Sequence, residues 1–425
     1  MHDRTRFRDA CGQRGAAALL VTLMLFFAMV LTAVFVNRNL LVEQRSAANH
    51  ARAAQAFEAA EAGLEWAIAQ LNNPRRLGAD CMSSTAPDGA AFRTRYVPAD
   101  VRSGRFTPAA WSDASGTHPL RASCIRTDSG WTCSCPTGSA PSLSIAAGSS
   151  AASGFSIEFV AAERAGTVRI VSTGCSRATD MCGADDSRRN DAFARVEATV
   201  ALIPALRTPP SAALTARGAV TSTAPFVARN ADPETGLAIH AGAAVAATAA
   251  QLTTPAGAGS DDAVLANDPT LATSTPALFF GQRFGLGKGD WATQPGVSPI
   301  DCATPCVPAL LRAIDMAGTP PLIWIDGNLE LDGPLALGTL ERPIALVVTG
   351  SLRIDGAVRI HGVVHAGAVS WTTPNTDALL RGALLSEGGY GGDGTPALIY
   401  DRAVLDTLQR ASGSFVRISG SWRDF

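Results

Sequence analysis

The N-terminus constrains this chain more than any other stretch. From Ala16 to Val36 it carries no charged residue, and it continues without proline to Asn72, with Gly63 as the only glycine. As a helix rising 1.5 Å per residue, residues 16–36 extend about 30 Å, the thickness of a bilayer's hydrocarbon core. Thr22 and Thr32 are the polar interruptions, and a hydroxyl can bond back to its own helix carbonyls. Ahead of the run lie Arg4, Arg6, Arg8 and Arg14 against Asp3 and Asp9, a basic flank suited to the cytoplasmic side. Arg38, Arg45 and Arg52 follow it, so charge bias alone sets orientation weakly. A secretory signal has a shorter apolar core and a cleavage site after it. Here the span is longer and the basic junction precedes it, which points to a retained anchor.

Beyond the span the pattern becomes periodic. Phe57, Ala60, Leu64, Ala67, Ile68 and Leu71 share one helix face, while Gln55, Glu58 and Glu65 lie off it and Glu61 falls near its edge. Asn72, Asn73 and Pro74 end the helix. The element from Ala16 to Asn72 therefore predicts one helix of about 85 Å. Its apolar first half calls for lipid or for neighbouring subunits.

Three segments along this helix resemble a known family. Arg14-Gly15-Ala16-Ala17-Ala18-Leu19-Leu20-Val21 is similar to the start of PilX-type minor pilins of the type IV pilus. Leu40-Leu41-Val42-Glu43-Gln44-Arg45 resembles their post-membrane segment, and Ala56-Phe57-Glu58-Ala59-Ala60-Glu61-Ala62-Gly63-Leu64 their signature helix. The ending Gly420-Ser421-Trp422-Arg423-Asp424-Phe425 is also similar to endings in this family. The resemblance implies cleavage by prepilin peptidase after Gly15, leaving Ala16 as a methylated N-terminus. Major pilins carry Glu at the fifth mature position, where it neutralises a neighbour's N-terminal amine; here that position is Leu20. A charge left uncompensated in lipid is expensive, so the departure favours a priming or capping subunit over a repeating one.

Composition bounds the remainder. At 425 residues the chain exceeds one typical domain, and a net charge of -2 gives it no basic footprint for nucleic acid. Of nine cysteines, Cys11 falls in the expected leader. That leaves Cys81, Cys124, Cys133, Cys135, Cys175, Cys182, Cys302 and Cys306, an even set that reads as disulfides in an oxidising periplasm. Short loops make Cys175 with Cys182 and Cys302 with Cys306 the simplest pairs to propose, although other connectivities stay open. Cys133-Ser134-Cys135 is too tight for the usual thiolate chelate, so no metal or other cofactor is expected.

The expected fold class is α+β. A leader (1–15) precedes the membrane and stalk helix (16–72), then a pilin-like head with an antiparallel sheet (73–205), then a β-rich region (211–425). In the head, Phe155–Val160, Thr167–Val171 and Ala194–Val200 alternate apolar and polar residues as strands packed on one side do. Residues 211–320 are rich in Ala, Thr, Gly and Pro and read either as ordered β-structure or as partly disordered. Further on, Gly327–Gly333 echoes Gly350–Gly356 at a 23-residue offset, and Gly356–Gly362 follows as a third copy. Short Gly-bounded strands in series predict a β-solenoid or a meandering sheet.

Catalytic chemistry is hard to find. His361 and His365 stand four apart, but in β-type sequence, where four residues span roughly 13 Å. Gly388–Gly394 lacks the Lys-Ser/Thr of a phosphate loop and reads as a flexible surface loop, and no Gly-x-Ser-x-Gly elbow is present. Trp324, Trp371 and Trp422 either fill a small-residue core or anchor a partner. The expectation is a non-enzymatic minor pilin that primes or caps pilus assembly, in twitching motility or adhesion. It would sit in the inner membrane with its bulk periplasmic and become extracellular on assembly. Expected partners are prepilin peptidase, the major pilin, other minor pilins and a tip adhesin. A type II secretion minor pseudopilin and a membrane-anchored envelope enzyme are the alternatives.

Overall fold

The computed structural model describes residues 14–86, 89–128, 130–143, 152–178, 182, 192–247, 251–257, 259–302 and 306–425. Cys11 and the expected leader, apart from Arg14 and Gly15, lie outside the described residues. The chain divides into two compact units, residues 1–55 and 56–425. The N-terminal helix, Arg14–Asn72, contributes to both. In the first unit, every residue from 15 to 55 whose exposure is described is exposed.

In the second unit the last part of that helix lies on an antiparallel sheet. Its strands run in the spatial order Gly413–Arg417, Phe193–Pro204, Thr167–Ala178, Ala152–Ala161, Ala122–Thr127, Gly130–Ser134. The alternation seen in the sequence has a direct cause here. Phe155, Ile157, Phe159, Val168, Ile170, Val196, Ala198 and Val200 are buried in one core with Leu64, Ala67 and Leu71 of the helix. The strand Gly413–Arg417 pairs Phe415 with Leu202, and Arg423–Asp424 pairs with Val196–Glu197. The last residues of the chain thus belong to the head sheet, although the sequence grouped them with the 211–425 region.

Between Pro204 and Gly413 the chain builds a three-sided parallel solenoid. One side stacks Val297–Asp301 on Leu322–Asp326, then Ile344–Val348, Gly362–Ala366, Gly382–Ser386, Ala212–Ala216, Leu237–Ala241 and Val264–Leu265. The second side carries Leu329–Asp332, Ser351–Asp355, Val369–Ser370, Tyr390–Gly391, Val220–Thr221 and Val245–Ala246. The third carries Leu335–Leu337, Val358–Ile360, Leu379–Arg381, Ala397–Ile399, Val227–Arg229 and Gln251–Thr253. Inward residues such as Ile323, Leu346, Val364, Leu384, Leu214 and Ile239 are fully buried and fill the interior. Glycine shapes the corner where strands turn. A Cβ at Gly362 (φ +150°) would sit 1.9 Å from Ile344 O, and one at Gly382 (φ +137°) would sit 1.9 Å from Gly362 O.

The stacking order differs from chain order. The chain enters in the middle of the stack at Ala212, builds outward to Leu265, and crosses by helices Pro269–Thr273, Pro276–Phe284 and Lys288–Ala292. It restarts at Val297 and builds back until Leu384 pairs with Leu214, Tyr390 with Val220 and Leu398 with Ala228. Over its described residues the 211–320 segment therefore combines solenoid strands with these crossing helices and a further helix, Cys306–Met316. Gly388–Gly394 is part of a solenoid turn, with Tyr390 buried, and not a free surface loop.

Candidate functional site

The N-terminal helix is the candidate site, because its two parts meet different surroundings. In residues 15–36 the large side chains stand exposed, among them Leu19, Leu20, Leu23, Phe26, Phe27, Leu31 and Phe35. Thr22 Oγ1 donates to Ala18 O at 3.0 Å and Leu19 O at 2.9 Å, and Thr32 Oγ1 to Ala28 O and Met29 O at 2.9 Å. The polar interruptions are thus satisfied within the helix, as an apolar solvent requires. The helix is long and apolar enough to cross a membrane. Gly15 and Ala16 lie in its first turn, both exposed, and a side chain at Gly15 would meet nothing within 4 Å.

Residues 56–72 present small residues to the sheet. Ala56, Ala60 and Ala67 are fully buried, Ala59 nearly so, and Gly63 is buried beside Leu64. The reason is backbone proximity. A Cβ at Gly174 would lie 2.2 Å from Ala56 O and 2.3 Å from Ala60 N, and one at Gly63 would lie 2.4 Å from Ser172 Oγ. Trp66 fills the flank, edge-on to Phe92 at 5.4 Å and tilted on Phe155 at 5.6 Å. Glu58, Glu61 and Glu65 stay on the exposed face, where Glu65 accepts from Arg417 at 3.0 Å.

The end of the helix is held by residues that sequence reasoning missed. Asn72 Nδ2 donates to Phe415 O at 2.9 Å and its Oδ1 accepts from Phe415 N at 2.7 Å. Arg93, buried, donates to Leu71 O and Gly413 O at 2.7 Å each, and desolvation lowers its guanidinium to about 10. These partners are up to 343 residues apart in sequence, so no local pattern announces them. Trp422 lies edge-on to Phe57 at 6.3 Å, which gives the family-like ending a role in clasping the helix. Trp371 is fully buried, and Trp324 packs on Trp291 at 6.1 Å.

The eight cysteines form four pairs: Cys81–Cys135, Cys124–Cys133, Cys175–Cys182 and Cys302–Cys306. Cys133 and Cys135 thus belong to different bridges. No group of three His, Cys, Asp or Glu side chains gathers as a metal set among the described residues. His361 and His365 are separated by the Gly362 corner onto adjacent solenoid sides. One Ser-His-Asp cluster does occur, on the hairpin Ala110–Pro119. Ser115 Oγ and Asp113 Oδ1 lie 2.9 and 3.2 Å from the same nitrogen, His118 Nε2. A relay needs the carboxylate on the other ring nitrogen, so this cluster is a turn motif. Ser115 holds the Asp113 carboxyl at about 2.

Residues 14–65 match the PilX N-terminal family model. Over that segment the chain resembles the N-terminus of PilX-type pilins. The match spans the exposed apolar stretch and the first part of the small-residue face that seats on the sheet. A crystal structure of the competence-associated pilin ComZ from Thermus thermophilus aligns over 88% of this chain and 97% of its own, at 13% identity and a TM-score of 0.24. That likeness is too distant to carry a functional argument. No curated protein matches the PilX-like chain in sequence.

Proposed function

We propose that this PilX-like pilin is a minor, non-catalytic subunit that primes or caps a type IV pilus. Prepilin peptidase would remove residues 1–15, Ala16 would become the mature N-terminus, and the second unit would lie in the periplasm before assembly. The observation that carries the reading is Leu20. It stands exposed at the fifth mature position, in a segment matching the PilX model, where a repeating subunit needs a carboxylate. A subunit at the end of an assembly lacks one of the two neighbours and does not need that group. The four-bridge second unit suits an oxidising compartment. The solenoid would face outward and meet another minor pilin or a tip adhesin.

The test is mass spectrometry of the N-terminus after expression with a prepilin peptidase, beside a Gly15→Leu control. A mature chain starting at Ala16, absent in the control, is expected. An intact Met1 terminus in both would remove the pilin reading and leave a plain anchored protein. Priming is tested separately: deleting the gene should reduce pilus number, and a Leu20→Glu variant should appear along the fibre instead of at its end.

A further inference from the structure

One lysine occurs among the 35 Lys and Arg residues of this chain, and it is Lys288. An ion pair alone does not call for lysine in so arginine-rich a sequence, since arginine binds carboxylates at least as well and in bidentate fashion. What lysine offers and arginine does not is an amine that can lose its proton and attack a carbonyl.

Lys288 opens the helix Lys288–Ala292, whose Trp291 packs on Trp324 of the solenoid. Its Nζ lies 2.7 Å from Glu387 Oε1 and 2.8 Å from Oε2, so both oxygens are within bonding reach. Glu387 follows directly on the strand Leu379–Ser386, and its side chain is 8% exposed. A third group completes the arrangement. His365 Nε2 stands 3.3 Å from Glu387 Oε1 with no exposed surface, and its Nδ1 has no hydrogen-bond partner. Its ring is enclosed by Phe279, Phe280 and Phe284 at centroid distances of 6.0, 5.0 and 5.6 Å. Desolvation in this aromatic cage holds the imidazole below its ordinary value, so it stays a neutral base against the opposing pull of Glu387.

We propose that Lys288 and Glu387 join autocatalytically in an isopeptide bond, with His365 carrying the proton. One ammonium proton first passes to the Glu387 carboxylate; this is the uphill step, because burial raises that carboxyl but the hydrogen bonds from His365 and Lys288 hold it below its ordinary value. Lys288 Nζ then attacks Glu387 Cδ. The nitrogen's second proton goes to His365 Nε2, and the imidazolium returns it to the carboxyl hydroxyl, which leaves as water. An ammonium and a carboxylate become one amide and one water, with no oxidant, reductant or co-reactant. The product ties the crossing helices to a solenoid turn 99 residues further along the chain. That turn is the one that closes on Ala212–Ala216, where non-consecutive parts of the stack meet. Unlike the four disulfides, the bond would survive reductants.

The experiment uses the full chain, purified in detergent, then fully reduced and denatured. Its mass is expected to fall one water short of the sequence, and peptide mapping should recover the Lys288 peptide linked through Glu387. Lysyl endopeptidase, with Lys288 as its sole cutting site, is expected to leave the chain whole. Lys288→Arg keeps the charge and should restore the missing water. His365→Phe, which keeps an apolar cage, should slow bond formation by about 10²-fold or more, the usual share of a general base. A wild-type chain of full mass that the protease cuts once after Lys288 would overturn the proposal, whatever the variants do.

Discussion

At the residue scale, glycine and histidine carry the strongest constraints. Gly174 lets the sheet approach the helix backbone, since a Cβ there would overlap Ala56 O and Ala60 N. Neither neighbour is a movable side-chain tip, so Gly174→Val should destabilise the second unit by about 3 kcal/mol, the upper range for overpacking. A chemical denaturation midpoint measures this, and an unchanged midpoint would mean that helix and sheet separate freely. His365 sets a pH dependence, with Glu387 and Lys288 facing it. Burial depresses its folded pKa, so the unfolded chain binds the proton first as pH falls. Its contribution is full above the ordinary imidazole value of about 6.5 and is lost below it. Thermal melts of the wild type should drop between pH 7.5 and pH 5, and His365→Phe should flatten that drop.

At the element scale, the N-terminal helix shows how one periodicity serves two solvents. Residues 16–36 carry apolar side chains on all sides, with Thr22 and Thr32 bonded back to their own helix, as a membrane-crossing segment would need, whereas residues 56–72 need only one buried face. Both halves were legible because the helical period is short. The disulfides are a different matter. Cys81 and Cys135 are 54 residues apart, and their bond ties the chain just after the helix to the end of the head's outer strand. Closing a loop of that length contributes about 4 kcal/mol in the chain-entropy picture, against about 3 for a loop near fifteen residues. A Cys81→Ala, Cys135→Ala variant should therefore lose more stability than the equivalent change at Cys124 and Cys133, 9 apart. Paired melts would check the order. The glycine repeats illustrate partial legibility. Leu329–Asp332 pairs with Leu352–Asp355 at the 23-residue offset seen in the sequence. The third copy instead lies on the next side, pairing with Leu335–Leu337, because Gly356 turns a corner.

At the scale of the whole molecule, the solenoid is an insertion in the head sheet. The strand Phe193–Pro204 leaves the sheet and Gly413–Arg417 returns to its side, with Ala205 N donating to Ser412 O at 2.9 Å. A short flexible linker replacing residues 206–411 should give a chain that still folds its head, retains the Cys81–Cys135 and Cys124–Cys133 bridges, and still inserts its helix. Circular dichroism, thiol counting and membrane fractionation would test this. A chain that fails to form both bridges would show that head and solenoid fold as one cooperative body.

By itself the sequence determined the apolar span, the amphipathic stalk, the strands of the head and the repeat that signals a solenoid. Each of these is set by local periodicity, which physical chemistry fixes within a few turns or residues. Only the tertiary structure decided that the chain starts its solenoid in the middle, that its last residues complete the head sheet and clasp Asn72, and that its single lysine meets Glu387. Those features depend on contacts between residues roughly 100 to 340 apart. Partners at such separations leave no periodic trace in the intervening sequence, because it is the closed fold that brings them together.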